Sequence, residues 1–343
     1  MKRLLLVILT VLTLAAPGAA RARSTHHSLF PVTVVDDHGN HVRIPTRPNR
    51  LVTLFPGQTE ILFALGLENR IVADGSKYVE GATDIAAPDG KSRDFRYPSE
   101  WPSKLGRDYP VKAPNLVHVE GGCCGTDFNL ETIESVHPDL VFAPYIQTEL
   151  GTYQKMRELG LKVIILDPAS LNGILHDITL VGRATGAISP AHRLVQTLKA
   201  QMRQVRNAVR HVKNRPRVYY EIDATNPTAP YTAGPGTFID DAISLAGGKN
   251  VADAVTTCRG TLCYPQLELE SLVQMNPQII VLGDSNYGTK PADVKARPGW
   301  ESISAVQTGR IYPFNDDLIS RAGPRIMIGV RRLLHLIHPN VRP

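Results

Sequence analysis

The chain has 343 residues, of which 43% are hydrophobic, and its formal net charge is +6 at pH 7. This length is sufficient for two domains, each with its own hydrophobic core. The charge is too small to predict a nucleic-acid-binding protein, because such a protein needs a clustered basic face.

The first residues have the pattern of a secretory signal peptide. Lys2 and Arg3 precede an apolar stretch at residues 4–16, and small residues and a cleavage-like triplet, Ala-Arg-Ala at residues 20–22, follow it. We expect residues 1–22 to be removed on export, because the apolar stretch is too short for a transmembrane helix. Removal lowers the net charge to +3. No cysteine follows the apolar stretch, so we expect a periplasmic protein without a lipid anchor, and no later stretch is long enough to span a bilayer.

Strands and helices alternate in the first half of the mature chain. Thr59 is expected to cap the first helix and Gly66 to end it. Residues 74–129 show little periodicity, which predicts a functional loop region. The predicted elements are a hairpin at residues 32–44, strands at 51–55, 71–73, 140–143 and 162–166, and helices at 60–65 and 149–159.

Residues 190–213 predict the longest helix of the chain. Pro190 is favourable in a first helical turn. Apolar residues form one stripe on an otherwise polar helix, at Leu194, Leu198, Val205 and Val209. We predict that this helix joins two lobes; an ordinary surface helix is the alternative.

The second half repeats the alternation of strands and helices. The predicted elements are strands at residues 217–222, 279–282 and 311–314, and helices at 238–245 and 324–337. Alternating strands and helices form parallel sheets covered by helices. We therefore predict an α/β protein with two Rossmann-like lobes, each containing a parallel sheet.

One segment occurs twice along the chain. Residues 130–142, the first repeat segment, resemble residues 269–281, the second repeat segment. In each, a glutamate opens a short amphipathic helix, and a proline seven residues later precedes a strand. A single repetition predicts two similar lobes, because a solenoid needs three or more repeats.

The four cysteines form two groups, and cysteines in an exported protein are first expected to form disulfides. Cys258 and Cys263 are spaced to close a small loop. Cys123 and Cys124 are adjacent, with Cα atoms ~3.8 Å apart, below the usual disulfide range. A strained vicinal disulfide, a bridge to the other pair and free thiols that contact a soft metal all remain open.

Several motifs together resemble one known family. The runs at residues 50–66 (RLVTLFPGQTEILFALG), 236–250 (GTFIDDAISLAGGKN) and 321–326 (RAGPRI) resemble the periplasmic substrate-binding proteins of ABC importers with a helical backbone, the class III type. This family serves the uptake of cobalamin, heme and iron–siderophore complexes. The resemblance covers about residues 30–340. The spacing of Tyr264 to Glu270 is most similar to the cobalamin-binding branch.

The resemblance implies the organisation of the mature chain. It implies an N-terminal lobe at residues 23–185, a connecting helix at 186–214 and a C-terminal lobe at 215–343. It also implies a non-enzymatic monomer without a resident cofactor. The ligand would be a metal chelate that contains cobalt or iron, with a corrinoid favoured over an iron–siderophore complex or heme.

Glu131 and Glu270, which open the helices of the two repeat segments, are the positions that the resemblance assigns to docking. In the family, one glutamate on each lobe binds arginine pockets on the membrane permease, and arginine–carboxylate pairs are directional. The alternative is that each glutamate only complements its helix dipole, worth about 0.3–1 kcal/mol. Matching acids in both repeat segments favour docking.

We expect the ligand to lie between the lobes, against loops at the carboxyl ends of strands. Tyrosines suit a large planar ligand, because they combine apolar area with a polar hydroxyl. Arg321 is expected either to bind an anionic group or to pair with a neighbouring aspartate. The candidate ligand-binding residues are Phe55, Gln58, Tyr78, Cys123, Cys124, Tyr145, Tyr220, Asn226, Tyr231, Tyr264, Asp316, Asp317 and Arg321.

The cysteines depart from the family pattern, because the cobalamin binders tend to have an aromatic residue near Cys123 and Cys124, and this chain has none there. Two alternatives follow from these thiols. The chain could be a capture protein for a metal ion such as zinc or copper, or an exported enzyme with a cysteine nucleophile. His118 is the nearby histidine that could activate such a thiol.

Overall fold

The computed structural model describes residues 29–75, 116–121 and 127–343. Tyr78, Cys123, Cys124 and the predicted signal peptide lie outside the described residues. The strands are β1 (Val32–Val35), β2 (His41–Ile44), β3 (Leu51–Thr53), β4 (Ile71–Asp74), β5 (Val117–His118), β6 (Leu140–Pro144), β7 (Val163–Leu166), β8 (Arg217–Asp223), β9 (Tyr231–Thr232), β10 (Lys249–Asn250), β11 (Ile279–Leu282) and β12 (Ile311–Pro313).

Helices separate most of the strands, as the sequence predicts. They are α1 (Pro56–Ala64), α2 (Leu130–Ser135), α3 (Leu150–Glu158), α4 (Leu171–Thr185), α5 (Ile188–Val209), α6 (Phe238–Leu245), α7 (Leu269–Met275), α8 (Pro291–Lys295), α9 (Ser304–Thr308) and α10 (Ile326–Ile337). We call β1–β7 with α1–α4 the first lobe, and β8–β12 with α6–α10 the second lobe.

Each lobe contains one parallel sheet. In the first lobe the strand order is β5-β4-β3-β6-β7, with every neighbouring pair parallel. In the second lobe the order is β10-β8-β11-β12, with β9 antiparallel beside β8. Strands β7 and β11 are buried along their whole length, as expected when helices cover both faces of a parallel sheet. The predicted α/β class is confirmed.

Helix α5 connects the lobes and confirms the predicted long connecting helix. Its stripe is apolar as expected: Leu198, Val205 and Val209 are buried and Leu194 is half-buried. It packs against α4 of the first lobe and against α6 and α10 of the second. One continuous hydrophobic core therefore extends from the first sheet through α5 to the second sheet.

Helix α1 begins earlier than the sequence predicts. Pro56 is its first residue and Phe55 occupies the N-cap, so the prediction of Thr59 as N-cap was wrong. Proline is favourable at this position because the first helical N–H has no intrahelical partner. Thr59 lies inside the helix, where its hydroxyl makes a buried 2.6 Å hydrogen bond to Thr53. Gly66 is left-handed (φ 74°) and ends the helix as predicted.

Helix α4 was not among the elements predicted from the sequence, although its boundary signals are present. Ser170 caps its N-terminus by accepting a 3.1 Å hydrogen bond from the Gly173 N–H. Gly186, with a φ of 77°, ends it in the left-handed conformation. Helix α4 packs on α5, so it takes part in joining the lobes.

The two repeat segments have the same backbone conformation. Each helix, α2 or α7, is followed by a left-handed residue just before the proline: His137 (φ 42°) and Asn276 (φ 44°). Among the described residues, these are the non-glycine positions with positive φ. Such a conformation is uncommon outside glycine. The shared strain shows that the duplication extends to the details of the backbone.

In each lobe an arginine at the first strand of the parallel sheet, directly before β3 or at the start of β8, stabilises the end of the repeat-segment helix. The Nε of Arg50 donates to the Val136 carbonyl at 2.9 Å, and the Nε of Arg217 donates to the Met275 carbonyl at 3.0 Å. The last carbonyls of a helix otherwise lack intrahelical partners. These equivalent arginines, which sequence analysis missed, fix α2 and α7 in the same way against their own sheets.

Candidate functional site

A contact between the two lobes joins segments that follow strands of both sheets. Loops that follow parallel strands gather at the carboxyl edge of their sheet. Glu60 lies on α1, which follows β3, and Arg325 lies in the segment that follows β12. These two side chains are hydrogen-bonded, so both carboxyl edges meet at this point.

The contact is a buried ion cluster, which we call the Glu60 clamp: Glu60 with Arg321 and Arg325. Glu60 is 0% exposed and accepts from Arg325 Nε at 3.0 Å, from Arg325 Nη2 at 2.5 Å and from Arg321 Nη1 at 3.3 Å. Removing one partner of a buried ion pair leaves an uncompensated charge, at a cost of about 3–5 kcal/mol. The clamp therefore requires both lobes to stay in contact here.

Close backbone approach accompanies the clamp. A Cβ atom at Gly57, in the first turn of α1, would lie 2.9 Å from the carbonyl oxygen of Ala322. That separation is too short for a non-bonded carbon and oxygen. Glycine at position 57 therefore lets α1 reach the segment between Arg321 and Arg325.

Arg321 makes a second ion pair. Its Nη2 lies 2.8 Å from Asp317 Oδ1, so the guanidinium contacts carboxylates of both lobes. Pairing with a neighbouring aspartate was one of the two expectations for this residue. Its role toward a ligand stays a prediction.

A second polar contact between the lobes lies at Asp167, directly after β7. The hydroxyl of Thr261, in the second lobe, donates to Asp167 Oδ2 at 3.2 Å. His38 Nε2 lies 2.9 Å from the same oxygen. The His38 ring stacks on Tyr145, with ring centroids 4.1 Å apart. Tyr145, a predicted ligand-binding residue, is thereby fixed at the carboxyl edge beside the contact between lobes.

Thr261 belongs to the disulfide loop, residues 258–263. Cys258 and Cys263 form the predicted disulfide, with Cα atoms 5.2 Å apart. Cys263 is buried, whereas Leu262 beside it is 50% exposed. The disulfide and the buried Cys263 hold the base of this loop in place, and the side chains of Thr261 and Leu262 lie outside that base.

Three of the predicted aromatic residues present surface at the carboxyl edges. Phe55, at the N-cap of α1 after β3, is 37% exposed, and Tyr231, opposite the end of β8, is 41% exposed. Tyr264 follows the disulfide loop. Burial raises the pKa of Tyr264 to about 12, with further contributions from Asp316 and Asp167. Tyr264 packs, partly buried, against the hydrophobic core that extends through both lobes.

Other predicted ligand-binding residues make structural contacts. Tyr220 is 0% exposed and donates its hydroxyl to Asp316 at 2.7 Å, so its ring has no surface for a ligand. Gln58 is buried and accepts from the Leu54 N–H at 3.4 Å. Asn226 is exposed, and its side chain accepts from the hydroxyl of Thr228 at 2.8 Å within a turn.

Asp316 is half-buried and also accepts a hydrogen bond from the Ser320 hydroxyl. Desolvation raises the pKa of Asp316 above its ordinary value.

A carboxylate pair at the second-lobe edge was not predicted from the sequence. Glu221, on β8, is fully buried and binds Arg297 through two bonds of 2.6 and 2.8 Å. Asp284 follows β11 and accepts from the Thr289 hydroxyl at 2.8 Å. Burial, followed by the charge of Glu221, raises the pKa of Asp284 to about 7. No local sequence pattern relates Glu221 to Asp284, because only the fold brings these two groups together.

Glu131 and Glu270 are both exposed in the first turns of α2 and α7. Within the described residues, neither carboxylate makes a side-chain hydrogen bond or ion pair.

Residues 29–75, 116–121 and 127–343 contain no group of three or more His, Cys, Asp or Glu side chains arranged to hold a metal ion. In the same ranges, no helix combines the length and the hydrophobicity needed to span a membrane.

The pKa of Asp284 gives a pH-dependent stability. Its folded pKa of about 7 exceeds the ordinary value of about 3.9, so the folded protein holds this proton more tightly. The associated stability is full below about pH 4 and is lost as pH rises through about 7. The free energy of unfolding of Asp284→Asn, relative to that of the wild type, should therefore be larger at pH 8 than at pH 5. Urea unfolding at the two pH values measures this difference.

The matched control is Glu134→Gln, at an exposed carboxylate on α2. It should show the same stability difference from the wild type at both pH values. A stability difference between Asp284→Asn and the wild type that is the same at pH 5 and pH 8 would contradict the raised pKa of Asp284.

Comparison with known proteins identifies the family. Residues 51–318 match the family model described as periplasmic binding protein. An uncharacterised ABC transporter substrate-binding lipoprotein of Bacillus subtilis, YvrC, is 28% identical over 315 residues, covering 91% of this chain and 87% of the relative. A cobalamin-binding protein of Halobacterium salinarum is 28% identical over 347 residues, covering 97% of this chain and 84% of the relative.

Solved structures show the same fold. The periplasmic vitamin B12 binding protein of Vibrio cholerae superposes with a TM-score of 0.64 at 21% identity, covering 85% of this chain and 98% of that one. The periplasmic heme-binding protein RhuT of Roseiflexus superposes with a TM-score of 0.66 at 22% identity, with coverages of 85% and 98%. The chain therefore belongs to the periplasmic binding protein family, whose members bind small molecules outside the cytoplasmic membrane for ABC transporters.

Proposed function

We propose that this chain is the solute-binding component of an ABC importer and captures a corrinoid such as cobalamin between its lobes. An iron–siderophore complex or heme is the next ligand in order. The observation that supports capture most directly is that the two carboxyl edges meet at the Glu60 clamp. Ligands of open α/β sheets bind at this edge.

The aromatic surfaces fit a large ligand with an apolar face. Phe55 lies on the first lobe and Tyr231 on the second, and both are more than one third exposed. Tyr145 adds a ring that is already oriented by stacking on His38. Aromatic rings held in one orientation lose little entropy when they contact a planar macrocycle.

The charges at the second-lobe edge favour a corrinoid over the alternatives. Arg297 is paired with Glu221, and Arg321 and Arg325 are paired with Glu60. Their positive charges are therefore balanced by the protein itself. Heme has two propionates and many ferric siderophore complexes are anionic, whereas the periphery of a corrinoid consists mainly of neutral amides. An edge whose arginine charges are already balanced by carboxylates suits a ligand with the neutral periphery of a corrinoid.

Docking to the permease would use Glu131 and Glu270. Both are exposed, both open the helix of a repeat segment, and an equivalent arginine orients each helix end. Charges at the rim of an interface steer association and fix its register. Two equivalent acids on two lobes suit a permease with two equivalent subunits.

The proposal includes the remaining sequence predictions. Residues 1–22 would be removed on export, leaving a periplasmic monomer without a lipid anchor. The mature chain would consist of lobes at residues 23–185 and 215–343 and the connecting helix at 186–214. The protein would bind its ligand without chemical change and without a resident cofactor, and cobalt or iron would arrive as part of the ligand. Cys123 and Cys124 lie outside the described residues, so the thiol-based alternatives stay predictions.

A ligand screen tests the capture function. Purified mature protein is heated with cyanocobalamin, hemin or a ferric hydroxamate complex, and unfolding is followed by fluorescence. Cyanocobalamin at a hundredfold excess over its Kd should stabilise the folded state by about 2.7 kcal/mol and raise the melting temperature. A shift with hemin alone would reassign the ligand, and no shift with any chelate would contradict capture.

The double variant Glu131→Ala with Glu270→Ala tests docking. We expect uptake of the ligand by cells that express the cognate permease to fall at least about tenfold, because the charges that steer and orient docking to the permease are lost. The Kd for the free ligand should stay unchanged. The control is Glu134→Ala with Glu268→Ala, which removes an exposed acid within α2 and another at the N-cap of α7 and should keep uptake. Weaker ligand binding by the docking variant would place these acids in the cleft.

A further inference from the structure

The segment from Asp167 to Leu171 contacts the second lobe twice. Asp167, directly after β7, accepts from the Thr261 hydroxyl at 3.2 Å. The backbone N–H of Leu171, the first residue of α4, donates to Asp241 Oδ2, on α6, at 2.9 Å. The contact with Asp241 lies beside α5, where the lobes are joined. The contact with Thr261 lies farther out, beside Tyr145 and the exposed Leu262.

This outer contact differs physically from the Glu60 clamp. The clamp consists of three hydrogen bonds to a carboxylate that is 0% exposed. The contact of Asp167 with Thr261 is one hydrogen bond, and the Asp167 side chain is 17% exposed. Water can replace a single partly exposed hydrogen bond, whereas it does not reach the carboxylate of the clamp. The outer contact is therefore the one that can open reversibly.

Each side of the outer contact is fixed to its own lobe. On the second lobe, the disulfide closes the loop, and the Gly234 N–H donates to the Cys263 carbonyl at 2.8 Å. On the first lobe, the Asp167 N–H donates to Asp37 Oδ2 at 2.6 Å. The two sides are therefore pre-formed surfaces, and the hydrogen bond from Thr261 to Asp167 joins them at this point.

We propose that Asp167 and Thr261 form a latch at the mouth of the cleft, which opens when a ligand enters or leaves while the Glu60 clamp stays closed. This inference rests on the proposed function and deepens it by naming positioning residues that control access. In the closed state the latch holds the disulfide loop beside Tyr145 and Tyr264. The ligand would contact these rings, and the latch would set how long it stays bound.

The test compares four proteins: the wild type, Thr261→Val, Thr261→Ser and Thr257→Val. Valine at position 261 keeps the shape of threonine and removes the donor, whereas serine keeps the donor. Thr257 is an exposed threonine just before the disulfide loop and is the matched control. Association and dissociation rates of cyanocobalamin are measured by stopped-flow absorbance, and the melting temperature is measured in parallel.

We expect Thr261→Val to increase both rates by about fivefold, with a smaller change in Kd, because one hydrogen bond to a charged acceptor is lost. Thr261→Ser should restore the wild-type rates, and Thr257→Val should not change them. A merely structural role of Thr261 would lower the melting temperature without faster association. Unchanged rates in Thr261→Val would overturn the latch.

Failure of the proposed function gives a different result, namely no binding of cyanocobalamin to the wild type. Hydrogen exchange of the unliganded proteins then decides the inference. Faster exchange in both residues 259–264 and residues 165–170 of Thr261→Val, relative to Thr257→Val, supports a latch between the lobes. Equal exchange in these two variants overturns it.

Discussion

A buried carboxylate that is shared by both lobes fixes their arrangement. Glu60 has no exposed surface, so it needs the two guanidinium groups of the other lobe to compensate its charge. Helix α5 joins the lobes through apolar packing. Together they set the separation of the two carboxyl edges, and the space between these edges is the proposed ligand site. Rotation of one lobe about the other would have to expose the charge of Glu60.

The duplicated framework relates ligand capture to docking. Arg50 and Arg217 fix the repeat-segment helices to their own sheets, and the Glu60 clamp fixes the sheets to each other. The positions of Glu131 and Glu270 therefore follow from the same contacts that shape the cleft. Small rearrangements at the outer edge, such as opening of the proposed latch, would leave the spacing of the two docking acids nearly constant.

Local patterns in the sequence were sufficient for much of the fold. The apolar runs of β7 and β11, the stripe of α5 and the short spacing of Cys258 and Cys263 all indicated what the structure contains. The roles of Glu60 and Asp167 were not accessible in this way. Their partners lie 261, 265 and 94 residues away along the chain, so no local period or spacing relates them. Tyr220 was predicted to contact the ligand, but its side chain is completely buried, and no local sequence pattern indicated this burial.

A crystal structure of the mature protein with cyanocobalamin tests the central claim most directly, because it locates the ligand and the clamp together. We predict that the corrin ring lies between the carboxyl edges, in contact with Phe55 and Tyr145, and that Glu60 keeps its bonds to Arg321 and Arg325. A ligand bound outside the cleft, or a clamp broken in the complex, would contradict this account.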